Sequence, residues 1–291
     1  MSVDLLHEKV RKLKCPVMVD LTIRPDDLPV HLLEEEGSKT SAYYRFCNEI
    51  LEGLRGNVPA VRFSFDFFAL MGVEGSTQLS QLLSKARQLG YYVVMDAPQV
   101  NTPWSAEAAA DTLFGTEQYP CDALIISPYI GTDALKPFLP YCGKEKKALF
   151  VIVRSANKSA LELQDLMTGS RLVHGATAEL VNRHGESLLA KCGYSCIGGV
   201  VSAGVPQSVR TLRTKHDRMY LLIDGLDYPS GNAKNCSYGF DRFGYGAVVS
   251  AGPSICAAWK ESESDGSDYI EQAREATERI RKNIGRYITI L

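Results

Sequence analysis

Apolar residues in this chain fall in short continuous runs rather than alternating with polar residues. Eight such runs, rich in Val and Ile, lie at residues 15–21, 58–65, 91–96, 121–127, 147–154, 196–203, 218–224 and 244–251. Continuous runs of this length are typical of strands that are buried on both faces, as in a parallel sheet. The pattern therefore predicts eight buried strands.

Helix-length amphipathic segments separate these strands. SQLLSKARQLG (80–90) has leucines at helical spacing and ends in a glycine. SAEAAADTLFG predicts a helix with Ser105 as its N-cap and Gly115 as its stop. Residues 159–194 are long enough for two helical pieces, and residues 265–288 predict a final amphipathic helix.

Eight strand–helix units in 291 residues predict an α/β protein folded as a (β/α)8 TIM barrel. An open doubly wound sheet is the alternative, but the glycine-rich fingerprint that follows the first strand of many such sheets is absent. No internal repeat or low-complexity linker interrupts the pattern. We expect residues 1–291 to form a single (β/α)8 barrel domain with an N-terminal helix and a C-terminal helix.

Composition excludes some classes of function but says little more about the fold. The chain is 45% hydrophobic and 23% charged, with a net charge of −2 and no basic block of the kind that binds nucleic acid. No apolar stretch approaches the about 18 residues of a membrane span, and the amphipathic N-terminus lacks a signal peptide's apolar region. The eight cysteines form no C-x-x-C pair, and several lie in apolar runs. We expect reduced thiols in a cytoplasmic protein that contacts neither nucleic acid nor membrane.

The carboxyl ends of the predicted strands carry polar residues. In a barrel these ends meet at one face and form the site. They are Asp20 to Thr22, Arg62, Asp96, Ser127, Arg154, Ser202, Asp224 and Ser250. Arg62 and Asp96 are candidates for binding a charged ligand, but a purely structural ion pair is an equally good interpretation.

The loops after the seventh and eighth strands form a candidate anion site. Gly225 lies in DGLDYPSGN, and Gly252 lies in SAGPSI, just before the predicted short helix ICAAWK. Glycine-bearing loops at these positions, next to a helix N-terminus, form the phosphate site of many barrels. The acid Asp227 in the facing loop would repel a dianion.

Residues 127–138, SPYIGTDALKPF, resemble the N-P-Y-L-G-x-D-x-x-K-P-F stretch of the longer bacterial type of orotidine 5'-phosphate decarboxylase. Further segments are similar to that family in the same order, among them PVMVDLTIRPDDLP, GYYVVMDAPQVNTPWSAEAAA and GAVVSAGPSICAAWK. The family is a homodimeric (β/α)8 barrel that converts orotidine monophosphate to uridine monophosphate, in pyrimidine biosynthesis, without a cofactor. The resemblance therefore implies a homodimer, a nucleotide ligand and no cofactor.

Several functional residues of that family are replaced here. The family's first-strand Asp falls on Thr22, or on Asp20 if the alignment slips by two residues, and its second-strand Lys falls on Arg62. In the third-strand motif D-x-K-x-x-D, the first Asp is kept as Asp96. The catalytic Lys falls on Pro98, and the second Asp, which reaches the partner's site, falls on Asn101. The phosphate-binding Arg falls on Pro253, and a loop Gln falls on Pro229.

These replacements remove the chemistry that the family uses. Its lysine protonates a vinyl carbanion, and a general acid must carry a proton and reach the reacting carbon. Pro98 has no proton to give, and a guanidinium with a pKa above about 12 is a poor donor. We therefore predict that decarboxylation is lost.

The first hypothesis is a non-decarboxylating paralogue that binds a small ligand or a protein partner. The candidate ligand-binding residues are Asp20, Thr22, Arg62, Asp96, Asn101, Ser127, Arg154, Gly225 and Gly252. The alternatives are an active decarboxylase, or a related lyase that uses Asp96 and Arg62 on another sugar phosphate. Trp104 and Phe63 are candidates to stack on a base. We expect no metal site, and surface or structural roles for the five histidines.

Overall fold

A closed barrel of eight parallel strands forms the centre of the protein. The computed structural model describes residues 1–262 and 264–291. The strands are β1 (Val17–Asp20), β2 (Ala60–Ser64), β3 (Tyr92–Asp96), β4 (Ala123–Ile126), β5 (Ala148–Arg154), β6 (Ile197–Ser202), β7 (Leu221–Asp224) and β8 (Ala247–Ala251). Each strand pairs with the next along the chain, and β8 pairs with β1. The predicted (β/α)8 barrel is confirmed, with a strand in each of the eight apolar runs.

The strands are buried on both faces, which explains their continuous apolar sequence. Every residue of β4, β6 and β8 is buried. The exceptions in β1, β3 and β7 are the final residues, where Asp20, Asp96 and Asp224 are only partly buried. The core of the barrel is therefore apolar, and its polar groups gather at the carboxyl ends of the strands.

Helices surround the barrel on the outside. They are α1 (Ser2–Leu13), α2 (Val30–Glu36), α3 (Lys39–Gly53), α4 (Phe65–Ala69), α5 (Gly72–Gln88), α6 (Pro103–Leu113), α7 (Thr132–Leu135), α8 (Leu139–Lys144), α9 (Val173–Gly185), α10 (Pro206–Lys215), α11 (Ala233–Ser237), α12 (Pro253–Cys256) and α13 (Tyr269–Gly285). Short 3-10 turns lie at Pro25–Asp27, Lys136–Phe138, Lys158–Glu162 and Ala258–Ser262. Residues 92–113 show how an apolar run, a polar loop and an amphipathic segment become one strand–helix unit.

The N-terminal helix α1 contacts the amino end of the barrel. The hydroxyl of Ser2 lies 2.8 Å from that of Tyr92 and donates to the carbonyl of Asp122 at 2.9 Å. Tyr92 begins β3, and Asp122 directly precedes β4. This contact supports a single domain for residues 1–291, which stays a prediction.

One local prediction is wrong, and a second holds with a different kind of helix. The N-cap of α6 is Thr102, whose side chain accepts from the N–H of Ser105, and Ser105 bonds back to complete a capping box. Pro103 at the first helical position moves the start upstream, because its fixed φ suits that position. Residues 159–194 form only one α-helix, α9. The other helical piece is the 3-10 turn Lys158–Glu162, and a short hairpin, Met167–Thr168 with Arg171–Leu172, lies between it and α9.

Within the described residues, no helix is both long enough and apolar enough to cross a membrane.

Candidate active site at the carboxyl end of the barrel

The guanidinium of Arg62 lies at the centre of the carboxyl end of the barrel. Its side chain is only 11% exposed. Nε and Nη2 donate to the two oxygens of the Asp96 carboxylate, each at 2.8 Å. Nη1 lies 3.3 Å from Oδ2 of Asp20 and 3.3 Å from Oδ2 of Asp224. One cation is therefore surrounded by carboxylates from three other strands.

Barrel closure brings these four residues together. Asp20 is the last residue of β1 and lies opposite Arg62 in the β1–β2 register. Asp96 and Asp224 are the last residues of β3 and β7. Because parallel strands end at one face of a barrel, residues that are distant in sequence meet there.

The crowded carboxylates change the protonation of the cluster. Burial, the largest influence, raises the pKa of Asp20 to about 6, although attraction to Arg62 opposes it. The carboxylates of Asp96 and Asp224 act in the same direction as burial. Burial lowers the pKa of Arg62, but the three carboxylates outweigh this effect and hold that pKa well above its ordinary value. Arg62 is therefore a permanent cation, and Asp20 takes up a proton at a higher pH than an ordinary aspartate.

The carboxylate of Asp227 occupies the backbone donors of the loop after β8. The N–H of Gly252 donates to its Oδ2 at 2.7 Å, and the N–H of Ser254 donates to its Oδ1 at 3.3 Å. Backbone N–H groups in this loop are the kind of donor that barrels offer to phosphate. Gly225 has a φ of +79°, and an added Cβ would lie 2.8 Å from the Cβ of Ala156. The turn and its packing therefore require this glycine whether or not an anion binds.

These residues line a cavity of 630 Å³, which we call the barrel mouth. Its lining consists of Asp20, Thr22, Arg24, Arg62, Ser64, Asp96, Asp224, Gly225, Asp227, Tyr228, Pro229, Ser250, Gly252 and Pro253. Four of these residues are aspartates and two are arginines, so the lining carries more negative than positive charge. Among the described residues that line the barrel mouth, none is a lysine.

Three predicted ligand-binding residues lie outside the barrel mouth. Ser127 lines a separate cavity of 410 Å³ beside α9, because β4 ends at Ile126 and leaves Ser127 in the following loop. Arg154 donates to Asp165 through Nε at 2.8 Å and Nη2 at 2.9 Å, which turns its guanidinium toward the loop after β5. Asn101 is exposed in the loop after β3.

The two aromatic candidates also lie elsewhere. Phe63 is fully buried, with its ring centroid 6.2 Å from that of Phe68, so it packs in the core and cannot stack on a ligand. Trp104 is 83% exposed at the start of α6 and does not line the barrel mouth. Successive side chains along β2 point to opposite faces, so Phe63 points away from the side that Arg62 faces. This explains why Phe63 is buried in the core.

The cysteines are all free, and all except the half-buried Cys192 are buried. Burial raises the pKa of the Cys15 thiol to about 11, which disfavours the reactive thiolate. In the described part of the chain, no group of three or more His, Cys, Asp or Glu side chains is arranged to hold a metal ion.

One contact was missed by sequence reasoning. His174, expected to be a surface or structural residue, lies with Nδ1 3.2 Å from Oδ1 of Asp165 and Nε2 3.4 Å from the hydroxyl of Ser208. Ser208 follows His174 by 34 residues and lies on a different helix. No local spacing indicates such a contact.

The fold and the barrel mouth together define a (β/α)8 barrel with a polar cavity at its carboxyl end, as in barrel enzymes. Comparison with known proteins identifies the family. The chain is 31% identical over 280 residues to an orotidine 5'-phosphate decarboxylase of Rhodopirellula baltica, covering 91% of this chain and 93% of that protein. It is 26% identical over 285 residues to one of Clostridium novyi, covering 98% of each. The chain belongs to the orotidine 5'-phosphate decarboxylase family.

Solved structures agree with this fold. A Toxoplasma gondii protein assigned as an orotidine-monophosphate decarboxylase aligns with a TM-score of 0.79 at 19% identity, covering 97% of this chain and 98% of that one. At this identity the likeness concerns the fold alone. No family model matches the chain.

Proposed function

We propose that this member of the family does not decarboxylate orotidine monophosphate, and that its barrel mouth binds a small ligand or a protein partner. The observation that carries the proposal is the lack of a lysine among the described residues that line the barrel mouth. The resemblance places the family's catalytic lysine at Pro98, which has no proton to donate. A carbanion formed at this site would have no ammonium group to protonate it.

Arg62 is a poor substitute for that lysine. Its Nε and Nη2 are bonded to Asp96, and Nη1 also lies 3.4 Å from the hydroxyl of Ser250. The surrounding carboxylates hold its pKa well above the ordinary value, so it retains its protons. These contacts support a fixed structural or binding role for Arg62.

The position of Asp227 makes tight phosphate binding unfavourable. A phosphate that used the N–H groups of Gly252 and Ser254 would have to displace this carboxylate first. The resemblance also places the family's phosphate-binding arginine at Pro253, which is exposed. Losing a charged contact costs on the order of 1.5–3 kcal/mol. A phosphorylated ligand is therefore disfavoured.

A polar ligand without a phosphate group fits the barrel mouth better. The hydroxyl of Thr22 is buried and has no hydrogen-bond partner within the described residues. Leaving such a group unsatisfied costs about 1–3 kcal/mol, and a polar ligand would recover this cost only where its binding turns the side chain toward the cavity. The four aspartates of the lining supply further acceptors for a ligand that donates hydrogen bonds.

We also propose a homodimer formed through the loops after β2, β3 and β4. Four large apolar side chains on this side are at least 80% exposed, namely Leu70, Val73, Trp104 and Tyr129. Asn101 lies in the loop that leads into α6, three residues before Trp104, which supports the predicted approach of that loop to the partner. Light scattering should show a dimer for the wild type and a monomer for Trp104→Glu. Leu166→Glu, which changes an exposed leucine on the loop after β5, should remain dimeric. A wild-type monomer at micromolar concentration would contradict the dimer.

A cytoplasmic location stays a prediction. The eight free thiols support a reducing environment.

An active decarboxylase is the alternative. The 31% identity to a decarboxylase over 93% of its length, together with the retained Asp96, favours it. The decisive measurement is the ultraviolet change on decarboxylation of orotidine monophosphate at high protein concentration, with the Rhodopirellula baltica enzyme as positive control. We expect no turnover above background for the wild type, and none for Pro98→Lys alone, because Asn101 and Pro253 remain. Turnover at about 1–1000 per second would establish the alternative.

Calorimetry tests the role of Asp227 directly. Wild type should bind uridine monophosphate and inorganic phosphate weakly or not at all. Asp227→Ser frees the two N–H groups and removes a negative charge, so its phosphate affinity should rise by about tenfold or more. Asp133→Ser, which removes one exposed charge outside the barrel mouth, is the matched control and should behave as wild type. A micromolar dissociation constant for uridine monophosphate with the wild type would overturn this interpretation.

A further inference from the structure

Asp165, His174 and Ser208 form a line of hydrogen-bonding groups outside the barrel mouth. Asp165 lies in the loop after β5, His174 in the first turn of α9, and Ser208 in the first turn of α10. Nδ1 of His174 lies 3.2 Å from Oδ1 of Asp165, and its Nε2 lies 3.4 Å from the hydroxyl of Ser208. Serine, imidazole and carboxylate in this order are the groups of a nucleophile, a general base and a residue that orients the base.

The contacts of His174 determine which of its nitrogens carries the proton. Nδ1 faces two acceptors, the carboxylate of Asp165 and the carbonyl of Gln164 at 3.0 Å. A proton on Nδ1 satisfies both. A proton on Nε2 would instead leave the lone pair of Nδ1 facing the carboxylate and the carbonyl, so that three acceptors would lie together without a donor. The lone pair of Nε2 therefore points to the hydroxyl of Ser208. This is the tautomer that a general base needs in order to accept the serine proton.

The surroundings hold Asp165 in its ionised form and in a fixed orientation. Arg154, which is only 5% exposed, donates to both oxygens of Asp165, and this bond lowers the pKa of the carboxyl below its ordinary value. The side chain of Gln164 accepts from the N–H of Ser155 at 2.9 Å and donates to its hydroxyl at 2.8 Å. The loop after β5 is thereby tied back to the end of its own strand.

The three residues line a groove of 500 Å³ on the outside of the barrel. Apolar side chains of Leu172, Val205 and Leu212 form part of its wall, and Lys215 adds a positive charge. In the first turn of α10, the N–H groups of Ser208 and Val209 donate to the carbonyl of Val205 at 3.0 and 3.4 Å. Pro206 has no N–H, so the N–H of Gln207 is the remaining backbone donor of this turn. The groove therefore offers a place for a short acyl chain, and the N–H of Gln207, which also lines it, is a backbone donor for an oxyanion.

We propose that Ser208, His174 and Asp165 form a second active site, independent of the barrel mouth, that hydrolyses small carboxylic esters. The Ser208 oxygen bonds to the ester carbonyl carbon while His174 takes the serine proton. The carbon–oxygen bond to the alcohol then breaks, and His174 returns the proton to the departing alkoxide. Water, activated by the same imidazole, then cleaves the acyl-serine and releases the carboxylic acid. Asp165 positions the imidazole.

The experiment uses the full chain with p-nitrophenyl acetate and, separately, a fluorophosphonate probe. Wild type should release p-nitrophenol in an initial burst and carry the phosphonyl label on Ser208, located by peptide mass spectrometry. Ser208→Ala and His174→Gln should each slow hydrolysis by about 100-fold or more, since general acid–base groups contribute about 10²–10⁴-fold. Ser267→Ala changes an exposed serine outside the groove and should leave the rate unchanged.

Circular dichroism and thermal unfolding should show that all three variants are folded. Absence of the label from Ser208 in the wild type would overturn the proposal, and so would a Ser208→Ala variant that keeps more than half of the wild-type rate. In either case the three residues only anchor the loop after β5 to α10. Neither result affects the barrel mouth, where orotidine monophosphate turnover is the separate test.

Discussion

Arg62 and Arg154 are the two arginines that lie within barrel strands, and they have opposite surroundings. Arg62, in β2, contacts three carboxylates that come from β1, β3 and β7. Arg154 ends β5 and contacts one carboxylate, that of Asp165, only 11 residues further along the chain. Both side chains are largely buried, at 11% and 6% exposure. The first cluster has an excess of negative charge, and the second is balanced.

The difference follows from the loops. Arg62 faces into the barrel, so strand closure supplies its partners, and those partners are too many for one cation. A long loop follows β5 and folds back over the strand end, so it supplies a single partner with bidentate geometry. A buried pair with one well-placed carboxylate is a stable arrangement, whereas three carboxylates around one guanidinium are maintained at an electrostatic cost.

The largest expected effect comes from removing the central cation. Arg62→Met leaves three carboxylates close together, so the free energy of unfolding at pH 7 should fall by about 3–5 kcal/mol. Urea denaturation at pH 7 and pH 5 measures it, and part of the loss should be recovered at pH 5 as carboxylates protonate. Arg62→Lys, which keeps the charge, should lose less. A loss under about 1 kcal/mol for the methionine variant would show that the cluster is not strained.

The pH dependence of stability tests the excess negative charge. The pKa of Asp20 is about 6 in the folded protein against 3.8 ordinarily, so the folded state binds this proton more tightly. The stabilisation that protonated Asp20 gives the folded state is therefore fully present below about pH 4 and is lost as pH rises through about 6. The free energy of unfolding decreases by about 3 kcal/mol at most. The difference in unfolding free energy between wild type and Asp20→Asn, measured by denaturant titration from pH 4 to pH 7, should fall by this amount. A constant difference would contradict the raised pKa.

The smallest expected effect concerns the balanced cluster. Arg154→Met removes one buried cation, but Asp165 is 33% exposed and can regain water. We expect a loss of about 1–3 kcal/mol in unfolding free energy. Limited proteolysis should also show faster cleavage within residues 155–172, because the loop loses its main attachment. If Arg154→Met costs more than Arg62→Met, the comparison of the two clusters is wrong.

Much of the fold was predictable because each strand is encoded locally. The eight apolar runs each became a strand, since a segment buried on both faces must be apolar throughout. The capping of α6 was missed by three residues, because Thr102 and Ser105 both suit an N-cap and the proline between them decides the start. The hairpin at residues 167–172 was missed because strands of two residues carry no detectable period.

The candidate site was predictable only in part. Asp20, Arg62, Asp96 and Asp224 were identified because strand ends of a barrel share one face. Ser127 and Arg154 were placed with them on the same argument, yet their side chains turn to a neighbouring cavity and to a loop. The apolar pattern predicts where each strand ends. The partners of a side chain at that end depend on the conformation of the loops, which no sequence periodicity indicates.

By itself, then, the sequence determined the order of strands and helices and the family, and it predicts that Pro98 takes the position of the family's lysine. These depend on residue type and spacing along the chain. Only the tertiary structure decided that Arg62 has three acidic partners, that Asp227 occupies the N–H groups of Gly252 and Ser254, and that His174 lies between Asp165 and Ser208. Each of these contacts joins residues from different strands, loops or helices. The physical reason is that charge and hydrogen-bond partners act over a few ångströms in space, and barrel closure sets those distances.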